Sequence, residues 1–536
     1  MRRFFLILAI ILFQLTNLFS SEKNGVINYW HTFSKGRFSS FTIEQVRKDG
    51  LNYLNQLRYN AGLWEFTENS QLDESAQNHA NYLIANNTIT HIETEGLIGF
   101  TGETPGDRAI YTGYSTNFIV ENLSVGDENV RESIDNLFSA IYHRLGFLNL
   151  KIDEIGIGYS YSNDSYYKTF YVYNMGNSFL RKLCSSSNTY NGTGYYYTNI
   201  CSDSAKKISK ELYDNVTDYF YEKAHKYIVW PYNGYYETPP VFYEEIPDPL
   251  PECSVSGYPI SIQFNPYKID RESFKLLSFK LYSNGDIVDN VKLLDSQNDP
   301  NQDIGSYEYA LMPLERFQWN KNYQAEVVYF ENGETHKIEW SFHTKSLNAP
   351  YFILTNNYAK INIKPNKTYY LYFKPSNCND SFTSMQYQTD VSKINLSFYD
   401  GNTLKLYAEG NLGNKIFISL NNGKSVEIQL ASYESDSLVT PQNNYCGYIN
   451  GATLFLPCVI VGENAYSVNF QYLTNLDFKL TEIKKLDNWD SNSCGTYNIQ
   501  TAQLYYPCID INSKKIWATF KYTGENLIFQ VTDYEK

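Results

Sequence analysis

Ile155-Gly156-Ile157-Gly158-Tyr159 and Thr169-Phe170-Tyr171-Val172-Tyr173 are two short β-branched or aromatic runs bounded by Asn and Gly. Runs of this length and composition read as strands. Upstream the period changes to that of a helix. Thr42-Ile43-Glu44-Gln45 has the form of a capping box, and Ile43, Val46, Leu54 and Leu57 follow on one stripe. A second stripe runs Leu72, Ala76, Ala80, Leu83 and ends at Asn86-Asn87. A third runs Val130, Ile134, Leu137, Phe138 and Ile141, opened by Asp127-Glu128, whose carboxylates suit a helix N-terminus. A fourth helix is expected over 204–226. Helices interspersed with strands imply a layered α/β or α+β domain over 41–230.

Outward from this core the texture changes. Seven of the chain's 17 prolines, Pro231 to Pro259, fall in one stretch, which reads as a stiff connector over 231–253. Beyond it alternating segments dominate, such as Ile260-Ser261-Ile262-Gln263-Phe264 and Ile338-Glu339-Trp340-Ser341-Phe342, and Asn332-Gly333 marks a hairpin. These predict one β-sandwich over 254–346 and a second over 347–435. Residues 436–536 carry an internal repeat. Cys446-Gly447 leads to Pro457-Cys458, and Cys494-Gly495 leads to Pro507-Cys508, so two stacked β units are expected.

Met1-Arg2-Arg3 followed by the apolar run Phe4 to Phe13 is a secretory signal, placed at 1–20, with an N-terminal extension over 21–40. Either a cleaved signal or an uncleaved anchor fits it, and no later apolar segment predicts a membrane span in the mature chain. Eight cysteines, none in a C-x-x-C pair, suggest disulfides in a secreted, cell-surface or periplasmic protein. Spacing favours Cys184–Cys201, Cys446–Cys458 and Cys494–Cys508, which leaves Cys253 with Cys378. The 536 residues include 44 Lys and Arg against 58 Asp and Glu, a net charge of −14, which argues against a nucleic-acid partner. Tyrosine is abundant, at 50 residues.

The polar residues that could carry chemistry are His91, Arg108, Glu121, His143, Arg144 and Glu154. Two imidazoles and a carboxylate can hold a divalent ion with one position open, or act as a general acid/base set. Each also has a structural reading. His91 can cap helix carbonyls, Glu121 can accept backbone N–H bonds at a turn, and His143 with Arg144 can complement a helix C-terminus. Arg108 and Glu154 read more simply as a structural ion pair.

The ordered series Leu51-Asn52, Leu57-Arg58, Gly62-Leu63, His79-Ala80, His91, Phe100-Thr101-Gly102, Arg108, Gly113-Tyr114, Glu121-Asn122, His143-Arg144 and Glu154 to Gly158 resembles the CAP superfamily. This is the group of cysteine-rich secretory, antigen 5 and pathogenesis-related 1 proteins, and the bacterial secreted branch is the most similar. Glu244-Glu245-Ile246-Pro247-Asp248-Pro249 looks like the segment that follows the domain there. The resemblance implies an α-β-α sandwich with a cavity lined by two His and two Glu. His91, Glu121 and His143 match three of them. The fourth falls near Ser139-Ala140, where there is no acid, and Glu154 is the candidate substitute.

The expected whole is therefore multidomain: a CAP-like α-β-α sandwich, then β-sandwich domains and a disulfide-containing β repeat. The implied cofactor is a divalent metal such as zinc, held by His91, Glu121 and His143. The leading functional expectation is a non-enzymatic binding or surface-interaction protein, taking a small apolar ligand or an extracellular partner. The alternative is a peptide or ester hydrolase using the same three residues. There is no G-x-S-x-G nucleophile motif.

Overall fold

A computed structural model describes residues 24–28, 41–439, 446–450, 452–462, 464–486, 494–511 and 514–534. The stretch 1–20, read from the sequence as a secretory signal, lies outside them. The chain divides into two compact units, one over 30–344 with 377–379, the other comprising the rest.

The first unit opens with α1 (Ile43–Asn60), capped by the Thr42 hydroxyl, which accepts from Gln45 N at 3.3 Å. Val46, Leu54 and Leu57 form its buried stripe, as the spacing requires. Helix α2 (Ser70–Asn86) is capped by Asn69 and stops at Asn87, which takes the left-handed conformation at φ 49°. Then come α3 (Pro105–Tyr111) and the strand β1 (Val120–Val125). The third stripe is broken where one helix was expected. It forms α4 (Val130–Ser139) and α5 (Ile141–Phe147), separated by Ala140 in an extended conformation. The cap of α4 is Asn129, not Asp127-Glu128.

The two β-branched and aromatic runs are β2 (Glu154–Tyr161) and β3 (Thr169–Gly176), and with β1 and the short strand Thr67–Glu68 they make a four-stranded sheet. Alternation along β3 serves both faces. Phe170 and Val172 pack with Ala76, Ala80 and Leu83 of α2. Tyr171, Tyr173 and Met175 pack with Leu54, Ile134 and Leu137 of α1 and α4. This is the expected α-β-α sandwich. Gly156 and Gly158 face α2, and a methyl on either would overlap the backbone of Leu72 or Ala76. Glycine at these two positions lets the helix lie against the strand without a side chain between them.

Helices α6 (Ser178–Ser185) and α7 (Lys210–Lys223) follow. Then β4 (Tyr227–Trp230) pairs antiparallel with β5 (Ile260–Phe264), in a sheet completed by Glu308–Pro313 and Val291–Leu294. Within the proline-rich stretch, Tyr235–Thr238 forms a strand parallel to Glu334–Thr344. The hairpin at Asn332-Gly333 is present, with φ values of 51° and 84°. One apolar core runs without interruption from Val46 and Leu54 through Trp230 and Ile262 to Trp340.

In the second unit two five-stranded sheets enclose a core that includes Phe352, Leu371, Leu406, Ile418 and Ile428. The strand Asn24–Asn28 pairs with Ser384–Thr389 at the edge of one of them. The C-terminal repeats do not stack. They interleave in one eight-stranded sheet that closes on itself, because Gly447–Asn450 also pairs parallel with Gln503–Ile511, and Gly495–Asn498 with Thr453–Val461.

Cys184–Cys201 and Cys253–Cys378 form as expected. The other two expected bonds do not. Cys446 bonds Cys508 and Cys458 bonds Cys494, so both cross between repeats. The parallel pairings explain this correction, since Gly447 lies opposite Ile509 and Val459 opposite Gly495.

Non-reducing peptide mapping is expected to recover Cys446 linked to Cys508 and Cys458 linked to Cys494. Peptides joining Cys446 to Cys458 would refute the interleaved sheet. Gly158→Ala should destabilise the first unit by about 1–3 kcal/mol through forced separation of α2 and β2, read by chemical denaturation.

Candidate functional site

The polar residues gather around Glu121, which β1 presents opposite Asn174 of β3. Its carboxylate is buried, and each oxygen accepts from Arg108 Nη2 at 2.8 Å. Oε1 also accepts from His91 Nδ1 at 2.9 Å, so that ring nitrogen carries the proton. Arg108 is fully buried in α3, and its Nη1 donates to the carbonyls of His91 and Glu103 at 3.0 and 3.1 Å. The guanidinium thus orients Glu121 and holds the His91 loop at once.

Two groups outside the six candidates complete the cluster. His79, one turn before the end of the α2 stripe, is fully buried, with Nε2 3.7 Å from Glu121 Oε1. Its Nδ1 meets Glu93 Oε1 and its Nε2 meets the Thr90 carbonyl, both at 2.9 Å. Both partners are acceptors, so His79 and Glu93 hold a proton between them. Glu93 also accepts from Thr101 N at 2.7 Å. The signal available in the sequence was the spacing His79, His91, Glu93; only the return of the loop after α2 brings these residues together.

Burial raises the Glu121 carboxyl pKa, but the His91 hydrogen bond and the charges of His79, Arg108 and His91 outweigh it and leave it below the ordinary value of 4.5. The folded state therefore binds this proton less readily than the unfolded chain. The contribution to stability is complete above the ordinary value and is lost as pH falls through the lowered one.

His143 stands in the first turn of α5, not at a helix C-terminus. Its Nδ1 meets Glu245 Oε2 at 2.9 Å, and Glu245 also accepts from Ile141 N at 2.5 Å and Tyr142 N at 3.2 Å. The carboxylate from the Glu244-Glu245 segment thus caps the helix that begins after the break at Ala140. Asn122, the neighbour of Glu121, donates from Nδ2 to the His143 carbonyl at 2.8 Å. Adjacent residues of β1 therefore bind different parts of the fold. Arg144 points inward, donating to the Phe138 and Pro259 carbonyls at 2.7 and 2.8 Å.

Arg108 and Glu154 are both in ion pairs, but not with each other. Glu154 receives Arg181 Nε and Nη2 at 2.9 and 2.6 Å and the Tyr114 hydroxyl at 2.8 Å. It is no substitute ligand. Nor does Glu121 stand ready as one, since both its oxygens face the Arg108 cation. Among the described residues no group of three or more His, Cys, Asp or Glu side chains is placed to hold a metal ion. The residues as arranged do not fit a zinc centre, in which three protein donors converge on one point. A cleft of about 600 Å³ does open, but in the other unit, lined by Asn366, Asp390, Lys393, Glu409 and Asn414 among others.

Residues 51–175 match the family described as CAP: Cysteine-rich secretory protein family. No curated protein matches the chain. Among solved structures the chain is similar to an outer surface protein of Borrelia burgdorferi. The identity is 24%, over 26% of this chain and 95% of that one, with a TM-score of 0.22. It is also similar to an extracellular protein containing a SCP domain from Bacillus anthracis, at 18% identity over 26% of this chain and 45% of that one, with a TM-score of 0.22.

Glu121→Gln should destabilise the first unit by about 3 kcal/mol, because it leaves Arg108 buried beside a neutral amide. Glu93 Oε1, 3.8 Å from Arg108 Nε, keeps the loss at the low end of that class. Unfolding measured from pH 7 to pH 3 should show a shallower acid limb in the variant. Equal stability of variant and parent at neutral pH would remove the ion pair as a structural determinant.

Proposed function

Taking residues 51–175 as the CAP domain that the family match describes, we propose that the protein is a non-enzymatic binding protein acting outside the cytoplasm. The observation that carries this reading is the commitment of Glu121. A carboxylate that already accepts two bonds from Arg108 and one from His91 is neither a free general base nor a metal ligand. The cluster ties down the loop from Thr90 to Thr104, part of which is exposed at the surface. Four disulfides and no free cysteine among the described residues support an oxidising compartment, and among those residues no helix is long and apolar enough to cross a membrane.

One observation favours a hydrolytic alternative. The His91 side chain is 45% exposed while a buried carboxylate fixes its tautomer, which is how a general base is oriented. Against it, Arg108 already engages both oxygens of the same carboxylate. No serine or cysteine donates to His91 among the hydrogen bonds of the described residues.

The test is turnover of p-nitrophenyl esters and of a quenched peptide library by the secreted protein, with and without added zinc. Parent and His91→Asn protein are expected to be indistinguishable from buffer. A rate at least a hundredfold above background that falls in His91→Asn would establish the hydrolase instead.

A further inference from the structure

Cys184 and Cys201 close a loop, Ser185 to Ile200, that contains no Asp, Glu, Lys or Arg. The chain as a whole is 19% charged. Its composition is dominated by Tyr, Asn, Ser, Thr and Gly. Tyr195 is 87% exposed, Tyr196 45% and Tyr197 37%. Asn191, Thr193, Thr198 and Asn199 are exposed beside them.

The loop buries little, yet the fold holds it at many points. Lys206, itself buried, donates to the carbonyls of Leu183 and Cys184 at 3.0 and 2.9 Å and to that of Ser186. Thr116 Oγ1 donates to the Ile200 carbonyl, and Asn117 Nδ2 to that of Asn199, at 2.5 and 2.7 Å. Tyr196 and Tyr197 pair as a strand with Ser209 and Ile208. The Tyr190 hydroxyl accepts from Gly194 N at 2.8 Å, folded so tightly onto the turn that side chains at Gly192 or Gly194 would collide with it. Tyr197 leans on Tyr213 with ring centroids 4.7 Å apart, and Lys207 Nζ sits 4.6 Å from the Tyr196 ring centroid. Order imposed on a segment that adds little to a core lowers the entropic cost of binding something else.

We propose that this tyrosine loop binds a neutral polysaccharide. Tyrosine rings offer apolar faces to the C–H surfaces of pyranose rings, and their hydroxyls, with the Asn and Thr side chains, hydrogen-bond sugar hydroxyls. The loop itself carries no charge, which suits an uncharged partner, with Lys207 over the Tyr196 ring as the nearby cation, and the net charge of −14 discriminates against anionic polymers. A bilayer partner would call for Leu, Phe or Trp at the exposed positions, where this loop carries tyrosine. The inference gives the binding reading a partner class but stands on residues outside the Glu121 cluster.

The experiment is affinity electrophoresis of the intact secreted protein in gels containing starch, glucomannan, galactomannan or β-1,3-glucan, with polygalacturonate as the anionic contrast. At least one neutral polymer is expected to retard the parent. Tyr195→Ser should weaken that binding about tenfold and Tyr195→Phe, which keeps the ring, by much less. Tyr195 is so exposed that neither change threatens folding, and a Tyr195→Ser/Tyr197→Ser double variant extends the series. No retardation by any neutral polymer would overturn the proposal. Binding only to polygalacturonate, or binding unchanged in the double variant, would do the same. His91-dependent turnover would sink the non-enzymatic reading and leave this one standing, while a failure to bind glycans in an inert protein would do the reverse.

Discussion

The approach of α2 to β2 across Gly156 and Gly158 sets the spacing on which the polar cluster depends. With no side chain between helix and strand, the helix lies low enough for His79 to stand 3.7 Å from Glu121 on the same sheet. The loop leaving α2 then carries His91 back to that carboxylate, and α3 inserts Arg108 beneath both. A packing constraint at two glycines thus decides where four ionisable groups meet.

Once these groups have met, electrostatics governs the cluster. A fully buried arginine needs a buried counter-charge, and Glu121 supplies it with both oxygens. That arrangement fixes the His91 tautomer and removes Glu121 from other work. His143 is treated similarly by Glu245, a residue more than a hundred positions away that also caps the helix holding it. Both imidazoles are positioned by carboxylates through Nδ1, and neither carboxylate is left unpaired.

The β-rich part obeys a different logic. Its cores are made of alternating apolar residues, between two sheets in one case and inside a single closed sheet in the other. The C-terminal repeats solve the problem of exposed edges by pairing each other's short first strand, and the crossed disulfides lock that exchange. Each repeat alone would leave a strand edge open; interleaved, they close one sheet.

Much of the first unit was legible because its signals are local. The stripes of α1 and α2, the alternation along β3, the Asn332-Gly333 turn and the Cys184–Cys201 bond all derive from periodicity or short spacing. The ordered motif from Leu51 to Gly158 carried the layered fold. Tertiary structure alone decided the rest. Ala140 breaks an apparently continuous stripe because Glu245, distant in sequence, caps the new helix start. Glu93 joins the cluster only through the path of a loop, and Arg108 and Glu154 take separate partners on separate elements. The repeat cysteines pair across units because parallel strand exchange places Gly447 beside Ile509, and no local spacing encodes which repeat supplies the partner.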